Sequence, residues 1–321
     1  MLNYFKITIN TFKESVREPI YFLMLLAGLV LIGSYPSAAL FVFSEQLKLV
    51  VDSSMATGLI FGLLIAVLSA SHTVTREMRN GTVLLLLSKP VYRWTFILGK
   101  ITGIGLAVTL FTLLCNLATI TSVYMATDQF RFDMTIFYSY FGVLAAVCLI
   151  GMLFNFWRGS SFPEIATYAA MVLIPILAIC CIVSQEEPTV SLKDLCCALV
   201  LLNFAVVAMS TISVVFATRL DAVANLSVCT LVFFLGLVSS YLFQRETDSA
   251  FLNAVFSFFY AVLPNWQFFW LADAVAVNRP IPFSYVVDCA IYIVLYVAIC
   301  SMWAVAVFQN KEIAGEGDGR V

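Results

Sequence analysis

Charge-free hydrophobic runs alternate with short polar interruptions along most of this chain. The runs cover 19–43, 53–75, 101–127, 134–157, 165–185, 195–218, 222–244 and 289–310. A helix needs about 20 apolar residues to cross the hydrocarbon of a bilayer, and each run has that length. In lipid the backbone N–H and C=O groups must be paired within the segment, so the pattern predicts eight transmembrane helices. Two weaker patterns accompany them. At 1–18, Phe5, Ile9, Phe12 and Val16 recur at helical spacing, with Lys6, Asn10, Lys13 and Arg17 elsewhere around the wheel, as an interfacial helix would have them. At 249–272 a charge-free run is broken by Asn253, Pro264-Asn265 and Gln267 and carries Trp266 and Trp270. Such aromatics favour the membrane interface, so 245–285 reads as outer amphipathic or re-entrant helices before the last span.

Composition fixes the class. Hydrophobic residues make up 62% of the chain and charged residues only 11%, with a mean hydropathy of +0.99. Soluble domains carry about 25% charged residues. The expectation is therefore an all-α polytopic membrane protein, one transmembrane domain over 1–321. The 17 basic and 19 acidic residues nearly cancel, so only their placement is informative. With an even number of spans and a cytoplasmic N-terminus, the inner segments hold Lys6, Lys13, Arg17, Arg76, Arg79, Lys89, Arg93, Lys100, Arg158, Arg219, Lys311 and Arg320. The outer segments hold Lys48, Arg131, Lys193, Arg245 and Arg279. Cytoplasmic loops carry the basic excess, which puts both termini, including the tail 311–321, in the cytoplasm. Lys6, Lys13, Glu14, Arg17 and Glu18 punctuate the first 18 residues and no small-residue cleavage site follows, so no cleavable signal peptide is expected.

The interruption between the second and third runs differs from the others. Arg76, Glu77, Arg79, Lys89, Arg93 and Lys100 crowd a stretch that also holds the apolar stripe Val83 to Leu87. Gly81 admits a close backbone approach, and Pro90, lacking an N–H, stops any helix before it. Charges at both ends keep the stripe out of the bilayer, while its leucines suit an interface or a groove. A loop that only set topology would not need them.

Here the chain resembles the type-2 ABC exporter permeases. Glu77, Gly81-Thr82, the leucine run, Ser88-Lys89-Pro90-Val91, Arg93 and Gly99-Lys100 look like that family's pattern between its second and third spans. The resemblance extends to the amphipathic helix before the first span, to Pro264-Asn265 ahead of the last one, and to the charged exit Phe308-Gln309-Asn310-Lys311-Glu312. It implies a coupling helix at 75–95 that seats on a cytoplasmic ATP-binding-cassette ATPase. The contact would be made by Arg76, Glu77, Arg79, Gly81, Thr82, Leu84, Leu85, Leu86, Leu87, Lys89, Pro90 and Arg93. Glu77 would meet a basic residue of that subunit, and the arginines acids or lipid phosphates. A second membrane half is implied, as a homodimer or with a related permease, in the cytoplasmic (inner) membrane. The family usually has six spans. The surplus pair would be an extra hairpin around 134–243, where Phe154–Arg158 and Val215–Arg219 are faint echoes of each other.

The remaining chemistry is sparse. A phosphate-cradling loop needs G-x-x-x-x-G-K-[ST] between strand and helix, and Gly99-Lys100 is followed by Ile101. ATP and Mg are thus expected on the partner, with no cofactor or metal in this chain. The nine cysteines fall mostly inside hydrophobic runs, where free Cys is a small hydrophobe, and His72 is the single histidine. Those features argue against an enzyme, and no nucleic-acid partner is indicated. A secondary transporter or a scaffold without an ATPase is the alternative, but coupling ions generally need charges deep in the spans. Asn116, Asn155, Asn203 and Asn225 are expected to bond between helices or to line a polar route. Gly58/Gly62 and Gly99/Gly103 have the spacing that lets helices approach closely.

Overall fold

The computed structural model describes residues 2–40, 46–79, 92–127, 131–184, 190–243 and 250–309. Among the described residues there are eight helices long and apolar enough to cross a membrane. An amphipathic helix α1 (Leu2–Arg17) leads into α2 (Pro19–Ala39), with Pro at the first helical position where its missing N–H costs nothing. Helix α3 (Gln46–Ala70) continues through a π-helical turn, Ser71–Thr75, into a short α-helical end, Arg76–Arg79. Helix α4 (Arg93–Met125) follows and ends in a two-stranded antiparallel ribbon, β1 (Ala126–Thr127) and β2 (Arg131–Phe132). Then come α5 (Met134–Arg158), α6 (Phe162–Ser184), α7 (Leu192–Ala217) and α8 (Ala222–Phe243). Helix α9 (Ala250–Val262), a 3-10 turn (Trp266–Phe269) and α10 (Ala272–Ala276) precede the last span, α11 (Phe283–Gln309).

Several spans begin earlier than the charge-free runs do. Helix α4 takes in Arg93 and Lys100, and α3 takes in Lys48 and Asp52. A charge does not break a helix whose backbone bonds are internal, so hydropathy sets the apolar middle of a span and not its ends. At 13 residues α9 is too short to span. It lies on α8 through Phe243, whose ring stacks on Phe259 and tilts against Phe256.

Helices α3, α4 and α7 form the centre. In their most apolar stretches 61%, 61% and 67% of residues are buried, against 17–33% in α5, α6, α8 and α11. The outer helices show apolar side chains outward, among them Val172 and Ile179 on α6, Phe234 on α8 and Val294 and Ile299 on α11. Lipid tails are as apolar as these side chains, so close packing and interhelical hydrogen bonds must hold the bundle. Gly62 does this in the centre. A Cβ placed there would sit 2.8 Å from Thr112 Cγ2 and 3.0 Å from Val206 Cγ2, so α3 meets α4 and α7 backbone-close. Nearby, Asn203 and Thr112 are hydrogen-bonded across α7 and α4, and Asn116 Nδ2 donates to the Leu199 carbonyl at 3.0 Å. With Asn225, whose amide donates to Ser71 and Ser213, three of the four intramembrane asparagines make contacts between helices. Asn155 makes a local one, closing the α5–α6 turn on the Ser160 carbonyl beside Gly159, which ends α5 at φ 63°.

Candidate functional site

Helix α1 lies across α4 on the face where Gly99 and Gly103 leave room. A Cβ on Gly103 would come within 2.6 Å of Thr11 Cβ and 2.7 Å of the Thr8 carbonyl oxygen, and one on Gly99 within 2.8 Å of Ile7. The buried side of α1 is therefore its small polar stripe, Thr8, Thr11 and Ser15, with Tyr4 and Thr8 hydroxyls bonded to Thr102. Phe5 and Ile9 point outward. Val16, which the wheel groups with them, is fully buried in the core. An apolar stripe on an interfacial helix can face lipid, and the close approach to glycines then falls to the small side chains opposite.

This crossing brings three charged side chains together. Lys100, about two turns into α4, is only 2% exposed. Its ammonium lies 2.7 Å from Glu77 Oε1, on the short helix after the π turn, and 3.4 Å from Glu14 Oε2 on α1. The Phe96 ring lies 5.9 Å from the same nitrogen. A buried ammonium is tolerable only when paired, and here two carboxylates from two other elements surround it. Burial pushes the Glu77 carboxyl above its ordinary range, and Lys100 pulls it part of the way back.

Further pairs surround this triad at the same end of the bundle. Arg17 donates to Glu164 on α6 through Nε (2.7 Å) and Nη2 (3.3 Å). His72 Nδ1 is 3.0 Å from Glu18 Oε1. Arg219, in the α7–α8 turn, donates to the Val307 carbonyl near the end of α11. Tyr92 and Trp94 stack at the start of α4 and stand exposed, as aromatics at a membrane boundary do. Ends of α1, α3, α4 and α6 are thus tied to one another by ion pairs, and α7 is tied to α11 by the Arg219 guanidinium.

No protein-family model matches the chain. No curated protein sequence matches it either.

Among the sequence-predicted contact residues, the structure brings Glu77 into the triad and puts Arg76 beside it on the same short helix. Arg79 ends that helix. Arg93 opens α4, so the last residues of the expected 75–95 helix already belong to a span. Gly81, Thr82, Leu84, Leu85, Leu86, Leu87, Lys89 and Pro90 lie outside the described residues, as does the tail 311–321. The expected partner of Glu77 was a basic residue of another subunit; within this chain its carboxylate meets Lys100. Lys100 was legible only as the end of the Gly-Lys motif at an aqueous boundary, and Glu14 was missed as a site residue. The available signal was the spacing: Glu14 lies at the same helical face as Thr11 and Ser15. Among the described residues no group of three or more His, Cys, Asp or Glu side chains is arranged to hold a metal ion. An apolar hollow between α3, α7 and α8, lined by Leu63, Val67, Met209, Leu226, Cys229 and Phe233, has no Asp, Glu, His, Lys or Arg in its lining.

Proposed function

We propose that this chain is the permease subunit of an ATP-binding-cassette exporter, which forms the membrane route and is driven by a separate cytoplasmic ATPase. The observation that carries the reading is the ion pair between Glu77 and Lys100, 2.7 Å apart. These are the first and last residues of the motif that resembles the family's coupling segment, and they join the two spans between which that segment runs. A push on the 80–91 stretch would therefore reach α4 directly through Lys100, and α1 through Glu14. In this reading the leucine run anchors in a cleft of the ATPase, which holds ATP and Mg, and Arg76, Arg79, Lys89 and Arg93 meet its acids or lipid phosphates. A second permease copy or a related chain completes the route, and Lys6 and Lys13 of α1 sit at headgroup level of the inner leaflet.

The test is purification of the tagged chain from crosslinked native membranes in mild detergent. A stoichiometric ATP-binding-cassette ATPase is expected. It should disappear when Leu84–Leu87 is replaced by serines, while the chain stays folded in the membrane. Recovery of the wild-type chain with no ATPase would overturn the reading in favour of a transporter or scaffold that works alone.

A further inference from the structure

The π-helical turn Ser71–Thr75 interrupts α3 where the span ends, and the four-residue helix Arg76–Arg79 follows it. A π turn holds one more residue than an α turn, and single π turns inside α-helices are frequent at functional sites. Letting the extra residue out would turn whatever follows by about 100°, the rotation one residue makes in an α-helix. We propose that this turn is a two-position hinge that swings Arg76–Arg79 on and off Lys100, with Asn225 as its fixed pivot. The proposal rests on the permease reading only for what drives the motion.

The two sides of the turn are anchored unequally. On the span side Asn225, fully buried on α8, donates through Nδ2 to Ser71 Oγ (2.8 Å) and to Ser213 Oγ on α7 (3.0 Å). The Cys229 thiol donates back to Asn225 Oδ1 at 3.4 Å. Every polar atom of the Asn225 side chain is engaged, and three helices meet at it. On the far side Thr75 Oγ1 reaches the Ala217 and Leu220 carbonyls only at 3.3 and 3.4 Å. The short contact there is Glu77 to Lys100. Among the described residues, one side is fixed by buried neutral bonds, and the other by long bonds and the Glu77–Lys100 pair.

The second position is also provided for. When Glu77 leaves, Lys100 keeps Glu14 within 3.4 Å, so the buried ammonium is not stranded. Removing one partner of a buried pair generally costs several kcal/mol because an uncompensated charge remains. A lysine held between two acids from two elements avoids that cost. Packed elements with two discrete arrangements are the usual basis of such switching.

Hydrogen–deuterium exchange on the isolated chain in lipid nanodiscs tests this. Wild-type amides of 72–79 should exchange at least tenfold faster than those of 58–70. Deleting Thr73, whose hydroxyl bonds only within its own helix at Ser69, should turn the π turn into α-helix and slow 72–79 at least tenfold. Asn225→Leu should speed exchange in 66–79 and leave α7 and α8 unchanged. Equal exchange of 72–79 in wild type and the deletion would show simple end fraying and overturn the hinge. Faster exchange throughout α7 and α8 in Asn225→Leu would make Asn225 a packing residue and overturn the pivot. If the deletion does not give monodisperse protein, Asn225→Leu decides. No ATPase is present in this experiment, so a flat profile sinks the hinge alone, and an ATPase-free purification sinks the permease reading alone.

Discussion

The two ends of the bundle are held by different chemistry. At the end shared by Glu14, Glu77 and Lys100, elements are joined largely by charged side chains, and the buried Lys100 ammonium has two carboxylates within reach. At the opposite end most ties run from one side chain to one backbone group. Asp194 Oδ1 accepts from Ile281 N at 2.9 Å, Tyr285 donates to the Phe268 carbonyl, Tyr296 to the Val262 carbonyl, and Gln267 Nε2 to the Leu237 carbonyl. These fasten the segment from Val262 to Ile281 onto α7, α8 and α11, with its own Trp266 and Phe269 buried. A side chain that meets a backbone group has one partner and one geometry. A lysine between two acids has two. The contrast marks the charged end as the one able to rearrange and the other as the one that keeps its shape.

The largest effect should come from Lys100→Met, which leaves Glu14 and Glu77 facing each other without a cation. The expected loss is about 3–5 kcal/mol, the usual result of breaking a buried pair from one side. It should be read as a lower melting temperature in detergent. Lys100→Met in a Glu14→Gln, Glu77→Gln background should recover most of it. No recovery would mean that Lys100 matters for packing alone. At the opposite end Asp194→Ala should cost about 1.5–3 kcal/mol, the range for a hydrogen bond to a charged group. It should free the amides around Ile281 to exchange while those of 72–79 stay as they were. Faster exchange at both ends would show that the two ends are not independent.

The sequence made the spans legible because a bilayer demands long apolar runs, and all eight stand out. It also showed which stretch between spans was unusual, since six charges beside five consecutive apolar residues fit neither water nor lipid. What it hid depends on crossing geometry. Glu14, Glu77 and Lys100 are far apart in the chain, and only the passage of α1 over Gly99 and Gly103 makes them neighbours. The glycine spacing announced a close approach without saying which helix would make it. The π turn was hidden for a different reason. Ser71–Thr75 has no composition that sets it apart from an α-helix, and its extra residue is stabilised by Asn225, more than 140 residues away. Trp266 and Trp270 suggested an interface, yet Trp266 is packed inside, against Phe233 and over Gly236.

Smaller effects refine the comparison. Gly103→Ala puts a methyl against the Thr8 carbonyl, which cannot move without moving α1, and overpacking of this kind costs about 1–3 kcal/mol. The diagnostic is where the damage appears. α1 should loosen, with faster exchange at 8–16, while the Val262–Ile281 segment is untouched.

The smallest change is the pH dependence of Glu77→Gln. Because burial holds the Glu77 carboxyl above its ordinary value, its ionised form is the costly one in the fold. A carboxyl raised in this way favours the folded state most fully below its unfolded value, and loses that contribution as pH rises through its folded value. Glu77→Gln, which mimics the protonated acid, should therefore be at least as stable as wild type at pH 7.5. The gap should close as pH falls toward the ordinary carboxylate range. Melting temperatures of both proteins between pH 7.5 and 4.5 decide it. A wild type that is the more stable at pH 7.5, with an advantage that fades on acidification, would mean Lys100 outweighs burial at this site. The triad would then be a lock more than a switch.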